Sequence, residues 1–188
     1  EIDGLEHLET LKKQNKSAVF ISGHFSNFEL MAMQIEKSGI NLSAIYRPLN
    51  NIFLNGTMEK IRKNYICKKQ IKKGKSGIRE LIKLHKKNYS TALMIDQRVS
   101  EGIKCKFFNE EASTTTIPAQ FVKKFDANIV PIYIERINMN NFKLKIYKPL
   151  EFSKNDTIEN ITLKLNKILE EMILKNPDQW IWTHNGWK

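Results

Sequence analysis

An α/β fold with a mostly parallel central sheet flanked by helices is the class this sequence predicts, and three observations carry it. Short apolar runs of strand length recur along the 188 residues, at 17–22, Leu42–Tyr46, 91–95 and 129–135. Amphipathic stretches of helix length lie between them, which is the spacing of βαβ units. No internal repeat, low-complexity linker or composition break divides the chain, so residues 1–188 read as a single domain.

The elements follow in order. Leu5, Leu8 and Leu11 stand at helical spacing near the start, so the chain opens within a helix. Residues 17–22 form the first apolar strand. Residues 25–37 carry a helical pattern (Phe28, Leu30, Met31, Ile35) that ends at Ser38-Gly39, a C-cap signal. Leu42–Tyr46 is the next strand, closed by Pro48. Helices are predicted over 51–64 and 74–87, the second with Ile78, Leu81, Ile82 and His85. His85 lies on a Lys-rich helix and reads as a surface or boundary residue. A buried-type strand at 91–95 precedes a long polar segment, 97–116, and a short helix at Ile117–Phe125. Strands at 129–135 and 142–147 flank the turn-rich Asn138-Met139-Asn140-Asn141. The longest amphipathic helix covers 156–174, starting from Asn155 and Asp156.

Composition bounds the function. A hydrophobic fraction of 41% supports a sizeable core and excludes wholesale disorder. Two cysteines, Cys67 and Cys105, exclude a disulfide framework or a four-Cys zinc site and fit a reducing compartment. No apolar run approaches the roughly 18–20 residues that span a bilayer. The net charge of +11 implies an acidic partner. Only five of the 31 basic residues are Arg, whereas readers of nucleic acid favour Arg for bidentate contacts, so nucleic acid is not the expected partner. Most of the Lys excess follows a general bias toward Lys, Ile and Asn.

The chemistry concentrates at the end of the first strand. Gly23 frees the backbone to turn, His24 follows at the strand's carboxyl end, and Glu29 comes five residues later at the start of a helix. Ligands of open α/β sheets bind beyond the carboxyl ends of the strands. An imidazole titrates near pH 6.5, which suits a general base, and a neighbouring carboxylate fixes its tautomer and stabilises the imidazolium. Ser26 is the local hydroxyl, but no nucleophile-elbow pattern surrounds it, so the simpler reading has the base activate a hydroxyl on the substrate. The competing reading is a chance His-to-Glu spacing. No second His stands three or four positions from His24 and no Cys pair has ligand spacing, so no metal is expected.

Gly23-His24-Phe25-Ser26-Asn27-Phe28-Glu29 resembles the G-H-x4-D/E signature of the glycerolipid acyltransferase superfamily. In its G-H-F-x-N-[WF]-E form it resembles the late acyltransferases of lipid A biosynthesis, of lauroyl or myristoyl type. Further segments match in order: Tyr46-Arg47-Pro48-Leu49-Asn50-Asn51, then Arg62 on the following helix, then Asp96-Gln97 at a strand end. Phe107-Phe108 with Ala112 to Thr116 and Pro118-Ala119, Val130-Pro131 with Arg136, and the terminal run from Pro177 through Trp180, Trp182, His184 and Trp187 to Lys188 complete the series. The resemblance covers residues 17–188. It departs at Asn109, where the family has Gly, and at Gly186, where it has Arg. The family's hydrophobic N-terminal anchor is also absent, so the expectation is the catalytic part of a longer, anchored enzyme.

The resemblance implies transfer of a fatty acyl chain from acyl carrier protein, or acyl-CoA, to a hydroxyl of a phosphorylated lipid A precursor. It makes His24 the general base and Glu29 the group that orients it. Arg47 and Arg62 would bind phosphate or phosphopantetheine, and Asp96 would position an Arg or a sugar hydroxyl. Asn27, inside the motif, would be a further substrate-binding residue. Backbone N–H groups at the helix start would stabilise the oxyanion. No metal or redox cofactor is required. The implied partners are acyl carrier protein, the lipid precursor and an anionic membrane surface, at the cytoplasmic face of a bacterial inner membrane. Blander readings pair Arg47 at a strand edge, pair Arg62 with Glu59, use Asp96 as a turn cap and make the tryptophans packing residues. Alternatives for the whole chain are acyl transfer to another glycolipid or lysophospholipid, a catalytically inactive lipid-binding homologue, and a basic nucleic-acid-binding module.

Overall fold

In the computed structural model, which describes residues 1–183 and 187, strands β2 (Ala18–Ser22), β3 (Leu42–Tyr46), β4 (Lys69–Lys72), β5 (Ser90–Met94) and β8 (Asn128–Arg136) form the parallel body of a sheet. Strands β9 (Phe142–Ile146) and β1 (Ile2–Asp3) extend it, giving the order β1-β9-β8-β2-β5-β3-β4. Only β9 against β8 is antiparallel. The predicted class is observed.

β2 lies in the middle and all five of its residues are buried, which accounts for its unbroken apolar run. Its register places Phe20 beside Ala92 on β5 and Val130 on β8. Helices α1 (Leu5–Lys13), α2 (Glu29–Lys37), α3 (Ile52–Ile61), α4 (Lys75–His85), α5 (Ile117–Phe125) and α6 (Ile158–Lys175) connect the strands. The start of α6 is capped by Thr157, whose hydroxyl accepts from the Asn160 N–H at 3.1 Å.

Four local differences from expectation have physical causes. First, α2 begins at Glu29 because Phe25 bridges to Trp180 and Ser26 takes a left-handed φ of 42°. Second, the polar segment 97–116 contains a hairpin, β6 (Ile103–Phe107) with β7 (Glu110–Thr114). Its turn residues Phe108 and Asn109 have φ of 50° and 65°. Positive φ at both central positions suits Asn as it suits Gly, so the Asn109 departure preserves the turn. Third, the Lys-rich stretch before α4 includes edge strand β4, with Ile71 buried and Lys69 and Lys72 exposed, a pattern that guards an open edge.

Fourth, His85 is buried rather than at the surface. Its ring lies about 5 Å from the rings of Phe121 and Phe125, and Ser17 Oγ stands 3.3 Å from Nδ1. Burial lowers its pKa, so the ring packs as a neutral group.

The seat of α4 on β4 yields a stability prediction. A Cβ on Gly77 would lie 2.1 Å from the Lys72 carbonyl oxygen, a backbone atom that cannot swing aside. Gly77→Ala is expected to cost about 2 kcal/mol. A melt followed by circular dichroism should show the midpoint lowered by roughly 5 °C.

Candidate active site

The parallel register of β2 and β5 sets the site. Ser22 stands beside Met94, and the Ile95 N–H donates to the Ser22 carbonyl at 2.9 Å, carrying the pairing one step past the strand ends. The next residues of the two strands' extensions, His24 and Asp96, therefore emerge side by side although 72 positions apart in the chain. Gly23 permits the approach: a Cβ there would meet Leu169 Cδ1 at 3.0 Å, Phe25 at 3.1 Å and Asp96 Oδ2 at 3.2 Å.

Both carboxylate oxygens of Asp96 are used. Oδ1 accepts from His24 Nδ1 at 2.7 Å. Oδ2 accepts from the His24 backbone N–H at 2.7 Å and from the Trp180 indole N–H at 2.9 Å. The Asp96 side chain has no exposed surface. Burial alone would push its carboxyl up, but the His24 ring, the His24 N–H and the Trp180 N–H together hold it below the ordinary carboxylate range. With Nδ1–H committed to Asp96, the lone pair of the imidazole sits on Nε2, which Gln97 Nε2 approaches to 3.3 Å. The Phe28 ring packs edge-on against the imidazole, centroids 4.7 Å apart.

Two residues sit otherwise than the sequence placed them. The carboxylate on His24 Nδ1 is that of Asp96, not Glu29. Asp96 lies beneath the imidazole with Oδ1 on the ring and Oδ2 on the His24 and Trp180 N–H groups. Glu29 Oε1 instead accepts from Arg62 Nε at 2.7 Å. The alternative pairing of Arg62 with Glu59 is not formed either. Glu59 accepts from Tyr46 Oη at 2.6 Å and from Asn55 Nδ2 at 2.8 Å. Burial, then the Glu59 bond, pushes the Tyr46 phenol up to about 12. Arg62 opens a π-helical turn, Arg62–Ile66, closed by the Cys67 N–H on the Arg62 carbonyl at 2.8 Å. Such turns recur at functional sites.

His24, Glu29, Arg47 and Arg62 line one cavity of 270 Å³ at the carboxyl edge of the sheet. Its walls are largely apolar, including Ala32, Ala44, Ala92 and Met94, while Arg47, Arg62 and Lys73 place cations around it. Asn27 is not brought in. It is exposed on the turn before α2 and does not line this cavity, because the left-handed Ser26 carries the chain outward there. Helix α2 opens without a side-chain cap, and the Leu30 and Met31 N–H groups of its first turn donate to the Asn27 and Phe28 carbonyls, each at 3.1 Å.

The C-terminal segment braces the His24 turn. The Ser26 N–H donates to the Gln179 carbonyl at 2.6 Å, and the Ile181 N–H to the His24 carbonyl at 3.0 Å. Trp180 is buried and Trp187 stacks on Phe107, whereas Trp182 is exposed. The sequence reading placed Trp180 among packing residues and missed its bond to Asp96. His184, Gly186 and Lys188 lie outside the described residues. Among the described residues no group of acidic, His and Cys side chains forms a metal site, and no helix is long and apolar enough to cross a membrane.

Comparison with known proteins is consistent with this geometry. A family model described as bacterial lipid A biosynthesis acyltransferase matches residues 1–188. The lipid A biosynthesis lauroyltransferase of Escherichia coli (strain K12) is 27% identical over 197 residues, which take in 100% of this chain and 61% of that protein. The lipid A biosynthesis palmitoleoyltransferase of the same organism is 24% identical over 194 residues, again 100% and 61%. The chain thus spans about three fifths of the length of these relatives. The crystal structure of the 1-acyl-sn-glycerophosphate (LPA) acyltransferase, PlsC, from Thermotoga maritima superposes with a TM-score of 0.57. It shares 15% identity and covers 96% of this chain and 73% of its own, a likeness of fold.

Proposed function

The chain belongs to the bacterial lipid A biosynthesis acyltransferase family, and from that premise we propose that it transfers a fatty acyl group from a thioester donor to a hydroxyl of a lipid A precursor. The observation that carries this reading is the Asp96–His24 pair at an apolar cavity rimmed by cations.

The apolar walls would take the acyl chain, leaving the thioester carbonyl beside His24. Nε2 of His24 removes the proton of the acceptor hydroxyl as its oxygen attacks that carbonyl. Nδ1–H stays on Asp96, whose charge stabilises the imidazolium. The Glu29 N–H, at the start of α2, would receive the oxyanion. Collapse of the tetrahedral intermediate breaks the carbon–sulfur bond, and the departing thiolate takes the proton from the imidazolium. The products are the ester and the donor thiol. Arg47, Arg62 and Lys73 would hold phosphate groups of the donor's phosphopantetheine or of the acceptor. The natural donor is acyl carrier protein, with acyl-CoA as the alternative, and the work place is the cytoplasmic face of the inner membrane.

The test is transfer of a radiolabelled lauroyl group from acyl carrier protein to a tetra-acylated lipid A precursor. Parallel arms offer lauroyl-CoA as donor and lysophosphatidic acid as acceptor. Labelled lipid A precursor is expected. Product only on lysophosphatidic acid would move the acceptor to lysophospholipids, and no product on any acceptor would overturn the reading.

Glu29 and Arg62 act here as a pair, and their variants should differ from those of His24. Arg62→Lys keeps the charge but loses the planar fork, and Glu29→Gln loses the charge that holds it. Hydrogen bonds to charged groups contribute about 1.5–3 kcal/mol. Steady-state kinetics should show KM raised about tenfold or more in either variant, with kcat changed much less. A loss confined to kcat would return Glu29 to the role of orienting His24.

A further inference from the structure

Helix α3 is built with its polar side inward. Asn55, Glu59 and, just beyond the helix, Arg62 face the protein: Asn55 Oδ1 accepts from the Leu49 N–H, Glu59 holds Tyr46, and Arg62 holds Glu29. The other side is apolar and bare. Ile52 is 77% exposed, Phe53 87% and Leu54 58%, and Ile61 and Tyr65 continue the stripe, Tyr65 at 68%. No residue of α3 is buried. A surface helix of a soluble protein ordinarily turns its apolar stripe to the core. Contiguous exposed apolar surface of this kind marks an interaction site.

The surroundings select the partner. Lys60 and Lys63 are exposed on the same helical run, and Lys72 reaches it through Glu59 at 3.8 Å. Arg47 and Lys73 stand at the adjoining cavity, which Arg62 and Ile66 of this run also line. Bulky apolar side chains at the tip of a helix, flanked by lysines, are the composition of an element that lies in the interface of an anionic bilayer. An acidic protein would match the lysines but leave Ile52, Phe53 and Leu54 without apolar partners.

We propose that α3 is a membrane-docking element, whose Ile52, Phe53 and Leu54 enter the headgroup boundary of an anionic leaflet while Lys60 and Lys63 contact lipid phosphates. Seated there, it presents the cavity beside His24 to lipid at the bilayer surface. This last step rests on the acyl-transfer reading, but the docking does not.

Flotation with vesicles of phosphatidylethanolamine and phosphatidylglycerol tests it, with phosphatidylcholine vesicles as the neutral control. The chain should float with the anionic vesicles. Burying an apolar side chain of this size is worth about tenfold or more in affinity. Phe53→Ser with Leu54→Ser, both at exposed positions, should therefore weaken binding about a hundredfold. Lys60→Gln with Lys63→Gln should weaken it about tenfold or more on anionic vesicles only. Cys67 and Cys105 are buried, so an environment-sensitive dye attached through Phe53→Cys reports that site and should shift to the blue on anionic vesicles.

Flotation of the Ser double variant equal to wild type overturns the proposal, as does a dye that stays in water on the vesicles. So does a wild-type chain that ignores vesicles but loses self-association, or carrier-protein binding, with the same substitutions. Transfer to a detergent-dispersed acceptor separates the two readings. Equal transfer by wild type and the Ser double variant in detergent, with vesicle binding lost by the variant, sustains docking. Vesicle binding lost as expected, with no transfer by either protein, sustains docking and removes the enzymatic reading.

Discussion

His24→Ala is expected to lower kcat/KM for acyl transfer by about three orders of magnitude, within the range of about 10²–10⁴-fold that a positioned general base contributes. The substitution removes the atom that receives the hydroxyl proton, Nε2, and no other described side chain at the cavity pairs a basic nitrogen with a buried carboxylate. It also strips Asp96 Oδ1 of its partner, and a buried carboxylate left without one is destabilising. A loss of activity with His24→Ala therefore has to be separated from a loss of fold. His24→Asn does this. Its amide offers Asp96 a donor near the position of Nδ1 but carries no base, so it should melt closer to wild type and transfer no faster than His24→Ala. Transfer is read by thin-layer chromatography of labelled product, and stability by thermal denaturation. Either variant transferring at wild-type rate would remove His24 from the chemistry.

What could be read in the sequence and what could not divides along physical lines. Central strands and long helices have strong periodicity, so β2, β5, β8 and α6 were legible from apolar pattern alone. His24 was legible because a Gly-His step at the carboxyl end of a buried strand has a topological reason to be at a site. Asp96 was legible as a candidate but its bond to His24 was not. That bond depends on the β2–β5 register, which brings together residues 72 apart in sequence. The partner of Glu29 was not legible, because proximity in sequence does not give proximity in space. The left-handed Ser26 and the Phe25–Trp180 bridge delay the helix, and Glu29 turns to Arg62 instead. In the hairpin, Ile103, Cys105 and Phe107 alternate with Lys104 and Lys106, a period-two signal submerged in the polar composition of its surroundings. The outward apolar face of α3 could be seen as a pattern, but its direction could not. Only the inward bonds of Asn55, Glu59 and Arg62 reveal which side meets solvent.

Asp96→Asn should reduce kcat about as severely as the loss of His24, by roughly 10³–10⁴-fold, through the tautomer of the imidazole. The His24 N–H and the Trp180 indole both donate to Oδ2, and neither can turn away. The Asn carbonyl oxygen must therefore take that place, which points its NH₂ group at His24 Nδ1. Facing a donor, Nδ1 becomes the acceptor and the ring proton moves to Nε2, so the atom that should take the substrate proton already carries one. Nitrogen-15 spectra of the imidazole should show the Nδ1–H tautomer in wild type and the Nε2–H tautomer in the variant, a change that a merely structural role for Asp96 would not produce. Stability carries a second signature. The folded-state pKa of Asp96 is depressed below the ordinary 3.8. Its ionised form thus stabilises the fold fully above that ordinary value, and the contribution is lost as pH falls through the lower folded-state value. The variant has no such group to protonate. Denaturation of the two proteins at pH 7 and at pH 3 or below should accordingly show wild type the more stable at neutrality, with the difference narrowing in acid. An Asp96→Asn protein that keeps both the Nδ1–H tautomer and full transfer would show that the carboxylate does not set the state of His24.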